Sequence, residues 1–139
     1  MMKEKTQQTV ETRFAPMLIH KDGLSAIEFY KKAFDAKEIK RWSNDDGTIH
    51  VAEMSIDGAG FFLREESADA GQFSPSTIGG VTSIIELFVD DPYQVAARAI
   101  AAGAHELNPV RDYEETGFRQ GIVIDPYGHR WSLLRKIPR

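Results

Sequence analysis

The chain has 139 residues, 42% hydrophobic and 27% charged, with a formal net charge of −4. That length and balance describe one compact unit or two small fused ones and exclude a disordered polymer. The charge excludes the basic footprint of a nucleic-acid binder and mildly favours neutral or cationic ligands, while the lack of any cysteine removes disulfide frameworks, thiolate metal sites and cysteine nucleophiles and suits a reducing compartment.

Residues 1–12 are polar and lack the apolar core of a signal peptide, so a flexible tail on a cytoplasmic chain is expected. No apolar run approaches the ~20 residues of a membrane helix. Residues 14–20, FAPMLIH, are predicted as a short strand, with Pro16 favouring an edge or a strand start. Residues 24–34 place Ala26, Ile27, Tyr30, Ala33 and Phe34 on one helical stripe, opposite Glu28, Lys31 and Lys32. Asp22 or Ser25 supplies the cap. Strands follow at 37–43, 48–56 and 59–64, joined by the turn formers Asn44-Asp45-Asp46-Gly47 and Asp57-Gly58. Residues 65–80 are small, polar and rich in Gly, Ser and Pro, as a linker or flexible loop is.

The order then repeats. Residues 82–89 are an apolar strand, and Pro92 suits the first turn of a helix over 93–102 that Gly103 ends. A short strand at 105–110, a loop at 111–117 and strands at 118–124 and 129–136 complete the chain. Between the last two strands, Asp125-Pro126-Tyr127-Gly128 is a turn by its chemistry. Asp22 and Asp90, Asp35 and Gly103, and Asp57 and Asp125 each lie 68 positions apart. One spacing with matching element order describes an α+β chain of two βαβββ modules. Their bounds are set at 13–66 and 81–137, with 67–80 as the linker. Neither module alone covers both faces of its sheet, so the two must pair within a chain or across two chains.

The segments AIEFYKKAF (26–34), IHVAE (49–53), Val89-Asp90-Asp91, AAGA (101–104) and DPYGHRW (125–131) together resemble the vicinal oxygen chelate superfamily of glyoxalases, bleomycin-resistance proteins and dioxygenases. The resemblance spans about residues 14–135 and is greatest to the PhnB-like branch. It implies curled mixed sheets forming an open barrel around a cavity, and often a homodimer. It does not imply one reaction.

Metal-using members of that superfamily hold a divalent ion with His, Gln or Glu on the first and last strands of each module. Counted from the motifs, those positions fall here at Ala15, at Leu63 or Arg64, at Ile84 and at Ser132. A divalent ion needs three or four converging His or carboxylate donors, and these residues do not supply them. A one-residue shift would bring Glu65, but it also turns the side chain to the other face of the strand. Only Glu86, two residues beyond Ile84 and so on its face, brings a carboxylate toward the cavity. No metal or other cofactor is therefore expected, with a divalent ion as the minor alternative.

The candidate ligand-binding residues are His50, Glu86, Arg119, Trp42, Tyr113, Phe118 and Ser132. His50 suits a cavity-facing polar group, a general base or a strand histidine bonded to a neighbour. Glu86, alone among apolar neighbours, needs a ligand or a basic partner, and Arg119 is the candidate. Trp42, Tyr113, Phe118 and Trp131 are candidate aromatic walls or plain core. If Ser132 faces the cavity, Trp131 faces the helices. His129 is expected to bond turn backbone, Asp125 to form the turn, and His20 and His105 to be solvated. The functional expectation is a metal-free protein binding a small organic molecule, with no nucleic-acid or membrane partner. The alternatives are a divalent-metal lyase or isomerase built around His50 and Glu86, and a non-catalytic scaffold or regulatory subunit.

Overall fold

A computed structural model describes residues 8–139; residues 1–7 of the expected tail lie outside the described residues. The first module consists of β1 (Met17–His20), α1 (Gly23–Phe34), β2 (Lys37–Ser43), β3 (Ile49–Ile56) and β4 (Ala59–Glu65). After a one-turn helix α2 (Pro75–Ile78), the second consists of β5 (Ile85–Phe88), α3 (Pro92–Ala102), β6 (His105–Tyr113), β7 (Phe118–Ile124) and β8 (Arg130–Lys136). The strands form two four-stranded mixed sheets ordered β1-β4-β3-β2 and β5-β8-β7-β6. In each, the first strand runs parallel to the last, because the helix carries the chain back to its starting end.

The spacing of 68 holds at the starts of β1 and β5, at the helix C-caps Asp35 and Gly103, at the starts of β2 and β6 and at the ends of β3 and β7, and departs at the helix N-caps and the last hairpins. The helix caps are Asp22, which accepts from the Ser25 N–H, and Asp91 rather than Asp90, which accepts from the Gln94 N–H. Asp90 instead meets Arg135. The last hairpins differ in kind. Asp57 and Gly58 both take positive φ in a two-residue turn that pairs Ile56 with Ala59. The second hairpin pairs Ile124 with Arg130, leaving the five-residue loop Asp125-Pro126-Tyr127-Gly128-His129.

Some expected boundaries move. Residues 14–16 and 82–84 are apolar enough for strand but lie outside the β1 and β5 ladders, although the Pro16 carbonyl still accepts the Phe62 N–H. β6 runs on to Tyr113, through residues expected to be loop, because Arg111, Asp112 and Tyr113 pair with Gln120, Arg119 and Phe118. An edge strand tolerates such charges. Gly121 lets this edge close in, since a Cβ there would come within 2.6–2.9 Å of Val110. The expected linker contains α2, with Ser74 preceding Pro75 at its start.

The helices cover one face of each sheet. Ala52, Met54, Phe61 and Leu63 of the first sheet, with Leu87, Val123, Trp131 and Leu133 of the second, form the core with Ala26, Ile27, Tyr30 and Ala33 of α1 and Ala96 and Ala99 of α3. Strand alternation sends the other set of side chains to the opposite, helix-free face. In the first sheet that set includes Met17, Ile19, Val51, Glu53, Phe62 and Arg64. In the second it includes Glu86, Gln120, Ile122, Arg130 and Ser132. As expected from Ser132, the adjacent Trp131 points to the helices, against Tyr30, Phe34 and Phe61.

Candidate functional site

On the helix-free face of the second sheet, a cleft of about 460 Å³ is lined by residues 81–84 and by Glu86, Gln120, Ile122, Arg130 and Ser132. The ladders build it. Glu86 stands beside Ser132 in the parallel pair, and Ile122 stands beside Ser132 on the other side. The Gln120 side-chain amide donates to the Ser132 hydroxyl at 2.6 Å, and Ser132 is buried. Glu86 is exposed and enters none of the ion pairs among the described residues. The cleft thus presents a carboxylate, an amide and a guanidinium against Ile84 and Ile122. This mixture orients a small polar molecule while apolar walls bury its carbon skeleton. Beside it, a groove of about 750 Å³ runs between residues 14–19 and 80–86 and takes in Phe73, Ile78 and His129.

The structure brings together only part of the candidate set. Glu86 and Ser132 share the cleft. Arg119 does not reach Glu86: alternation puts it on the face opposite Gln120, where Asp112 accepts its Nε–H at 2.8 Å and the ring of Tyr93 lies beneath its guanidinium. That bond holds the Asp112 carboxyl below its ordinary pKa. His50 is exposed at a bulge of β3, where Trp42 pairs with Val51 and Ser43 with Ile49, and it lines neither the cleft nor the groove. Trp42 is 40% exposed on the edge strand, under Lys40. Tyr113 and Phe118 face each other across β6 and β7, with Arg111 over the Tyr113 ring and Phe88 near Phe118. Gln120 and Arg130 were not among the candidates. Their signal was simple, since both lie an even number of residues from Ser132 or Ile122 on paired strands.

His20, Tyr30 and Asp125 form a buried polar network between the modules. His20 is fully buried rather than solvated. Its Nε2 lies 3.1 Å from the Tyr30 hydroxyl, which donates to Asp125 Oδ2 at 2.5 Å. Trp131 Nε1–H donates to the same oxygen, and the N–H groups of Tyr127 and His129 donate to Oδ1. Because the single phenolic proton goes to Asp125, His20 Nε2 must carry the proton it gives Tyr30. His20 Nδ1 is then a buried acceptor with no partner. Burial, followed by the neighbouring His129, lowers the His20 pKa to about 3. Burial, followed by Asp125, pushes the Tyr30 phenol well up. His129 extends the seam, its ring N–H reaching the Ile19 carbonyl at 2.8 Å rather than the turn backbone. Asp125 is therefore both turn former and intermodule anchor.

The family's metal positions do not fit a divalent ion. Ala15 and Ile84 offer no donor, Leu63 is buried among the helices, Arg64 is a cation, and Ser132 is bonded to Gln120. Among the described residues, no three His, Asp or Glu side chains cluster as a metal site requires.

Two four-stranded mixed sheets, each built β-α-β-β-β and backed by one long helix, define a paired-module α+β protein with its open faces turned from the helices. Residues 14–133 match the model of the Glyoxalase/Bleomycin resistance protein/Dioxygenase superfamily, and the chain belongs to that family. An uncharacterized protein of Mycobacterium bovis is 37% identical over 127 residues, covering 89% of this chain and 83% of that one. Among solved structures, a gene product of Arabidopsis thaliana is 29% identical with a TM-score of 0.68, covering 91% of this chain and all of that one. TioX from Micromonospora sp. ML1 has a TM-score of 0.69 at 24% identity, with the same two coverages. The fosfomycin resistance protein FosX of Listeria monocytogenes, in complex with Mn(II) and sulfate, has a TM-score of 0.68 at 18% identity and covers 93% of each chain. The last two likenesses concern the fold alone. No helix among the described residues is long and apolar enough to cross a membrane.

Proposed function

We propose that this chain binds a small organic molecule on the helix-free faces of its sheets, without the divalent ion that FosX carries. The observation that carries this reading is the cleft in which Glu86, Gln120 and Ser132 converge beside Ile84 and Ile122. Ser132 is buried there although serine is ordinarily exposed, and its only side-chain partner is another cleft residue. Glu86 and the free acceptor of Gln120 orient the ligand, and the neighbouring apolar groove receives its carbon skeleton. Trp42 and Tyr113 on the outer strands β2 and β6, with Phe118 beside Tyr113 on β7, serve as aromatic margins of the same open faces. Arg119, held by Asp112 on the other side, supports the scaffold, and His50 stays outside the cleft.

A homodimer in the cytoplasm completes the proposal. Modules 13–66 and 81–137, joined by 67–80, leave Met17 and Phe88 exposed on the first strands of the two sheets, with Ile84 exposed just before β5. A second copy covering them removes a sizeable apolar area from water. A FosX structure of similar fold holds 1S,2S-dihydroxypropylphosphonic acid together with Mn(II); the small organic ligand supports the binding part of the proposal, and the metal is the point on which this chain is proposed to differ.

The test is metal analysis of purified, untagged protein, with ligand binding measured before and after chelation. The expected result is less than stoichiometric metal and binding unchanged by chelation. Stoichiometric nickel, zinc or manganese that is lost in Glu86→Gln would overturn the metal-free reading in favour of a metal-dependent enzyme.

A further inference from the structure

Arg64 stands on β4, where the resemblance puts a metal-ligand position of the family's metal users at Leu63 or Arg64, and the structure places it unusually. Phe61 and Leu63 point into the helix-backed core, so Arg64 points to the helix-free face with Phe62. Its ladder neighbours are Ile19 on β1 and Val51 on β3, with Met17 and Phe62 two residues along on the same side. Within this apolar frame its Nε is buried and has no hydrogen-bond partner. Glu53 lies diagonally across β3, yet no ion pair among the described residues includes Arg64. A desolvated N–H with no acceptor is costly, and for an arginine the cost is larger. The Nε–H groups of Arg41, Arg98, Arg119 and Arg135 are bonded, to Glu38, the Lys32 carbonyl, Asp112 and the Lys136 carbonyl, and among the described residues Arg64 has the one arginine nitrogen that is buried without a partner.

We propose that Arg64 is the receptor for a carboxylate, a fixed organic cation serving where the family's metal users place an ion. This inference rests on the ligand-binding reading above and names the ligand class; Arg64 lies on the helix-free face of the first sheet, beside the groove residue Ile19 and outside the cleft that holds Glu86. The Nε–H and a terminal N–H of a guanidinium form a planar fork that matches the two oxygens of a carboxylate. Met17, Ile19, Val51 and Phe62 around it select an anion attached to an apolar body. A monoanion suits the face better than a dianion. The neighbouring cation Lys40 lies over the Trp42 ring, and the nearby carboxylate of Glu53 repels a second negative charge. The chain's net charge of −4 would have favoured a cationic ligand; the local arrangement reverses that preference.

The experiment compares binding of 3-phenylpropanoate, its neutral amide and 2-phenylethylphosphonate by ligand-observed NMR, using the full chain and Arg64→Gln, Arg64→Lys and Arg64→Leu. The carboxylate should bind roughly 10- to 100-fold more tightly than the amide, as a charge-assisted fork would give. Arg64→Gln should abolish that preference while amide binding persists, and Arg64→Lys should restore it in part. The melting temperature of Arg64→Leu should stay level or rise, because an unpartnered buried N–H has been removed. Equal binding of carboxylate and amide would overturn the inference and leave the cleft reading standing, whereas failure of all three probes would count against both. Tighter binding of the phosphonate would overturn the assignment to a carboxylate. A fall in melting temperature with unchanged binding would make Arg64 merely structural.

Discussion

In the first module, α1 buries Ala26, Ile27, Phe29, Tyr30, Ala33 and Phe34, whereas α3 in the second buries Pro92, Ala96 and Ala99. The large aromatic side chains sit on one helix, and the matching helix is lined with alanine. The helix-free faces divide the other way: the first sheet offers Met17, Ile19, Val51 and Phe62 around Arg64, while the second offers Glu86, Gln120 and Ser132 together. Two copies of one backbone plan have thus specialised. The first supplies most of the bulky core, and the second supplies a polar cleft and sends Trp131 and Asp125 back into its partner's core. The corresponding residues Asp57 and Asp125 show the divergence most plainly. Asp57 is an exposed turn residue at positive φ. Asp125 is buried and accepts four hydrogen bonds.

That contrast makes the largest expected effect a comparison of two substitutions. Asp125→Ala should cost about 3–5 kcal/mol in chemical denaturation, because it strands Tyr30, Trp131 and two backbone N–H groups. Asp57→Ala should cost roughly 1 kcal/mol or less, as an exposed turn does. Equal losses would remove the distinction between the modules.

Acid tests the same seam. The His20 pKa is lowered from 6.5 to about 3 by burial, so between those values the unfolded chain binds the proton that the folded chain refuses. Stability is complete above about pH 6.5 and falls as pH drops toward 3, by about 1.4 kcal/mol per unit at most. His20→Gln should flatten this part of the pH–stability profile. Tyr30→Phe should cost about 1–2 kcal/mol, since one acceptor and one donor lose their partner. Ser132→Ala is the mildest for the fold, about 1 kcal/mol or less, yet it should weaken ligand binding because Gln120 is no longer held. A large stability loss with ligand binding intact would shift Ser132 from the cleft to the scaffold.

Much of this fold was legible in the sequence because its signals are local. The β-branched run Ile122-Val123-Ile124, the turn Asp57-Gly58 and the stripe from Ala26 to Phe34 each carry their own instruction. The spacing of 68 supplied the repeat. The extension of β6 through Arg111, Asp112 and Tyr113 was hidden because its charges mark an edge strand as readily as a loop. The helix α2 was passed over although Ser74-Pro75 is a helix-start signal. Within the site, Glu86 and Ser132 could be placed by strand alternation, and Trp131 followed from Ser132. The same rule excludes Arg119 and selects Gln120 one residue later. His20 was not legible, since the Tyr30, Tyr127 and His129 rings packed on it arrive from α1 and from a loop more than 100 positions away in sequence. Such long-range polar closure leaves no periodic trace.

The central claim is that binding belongs to the helix-free faces while the helix-backed core holds the molecule together. Backbone amide shifts recorded while a bound organic ligand is titrated into the labelled protein test it most directly. The expected result is that the largest changes fall at Glu86, Gln120, Ile122 and Ser132, with Arg64 following when the ligand is a carboxylate. Changes confined to α1 or α3 would contradict the account.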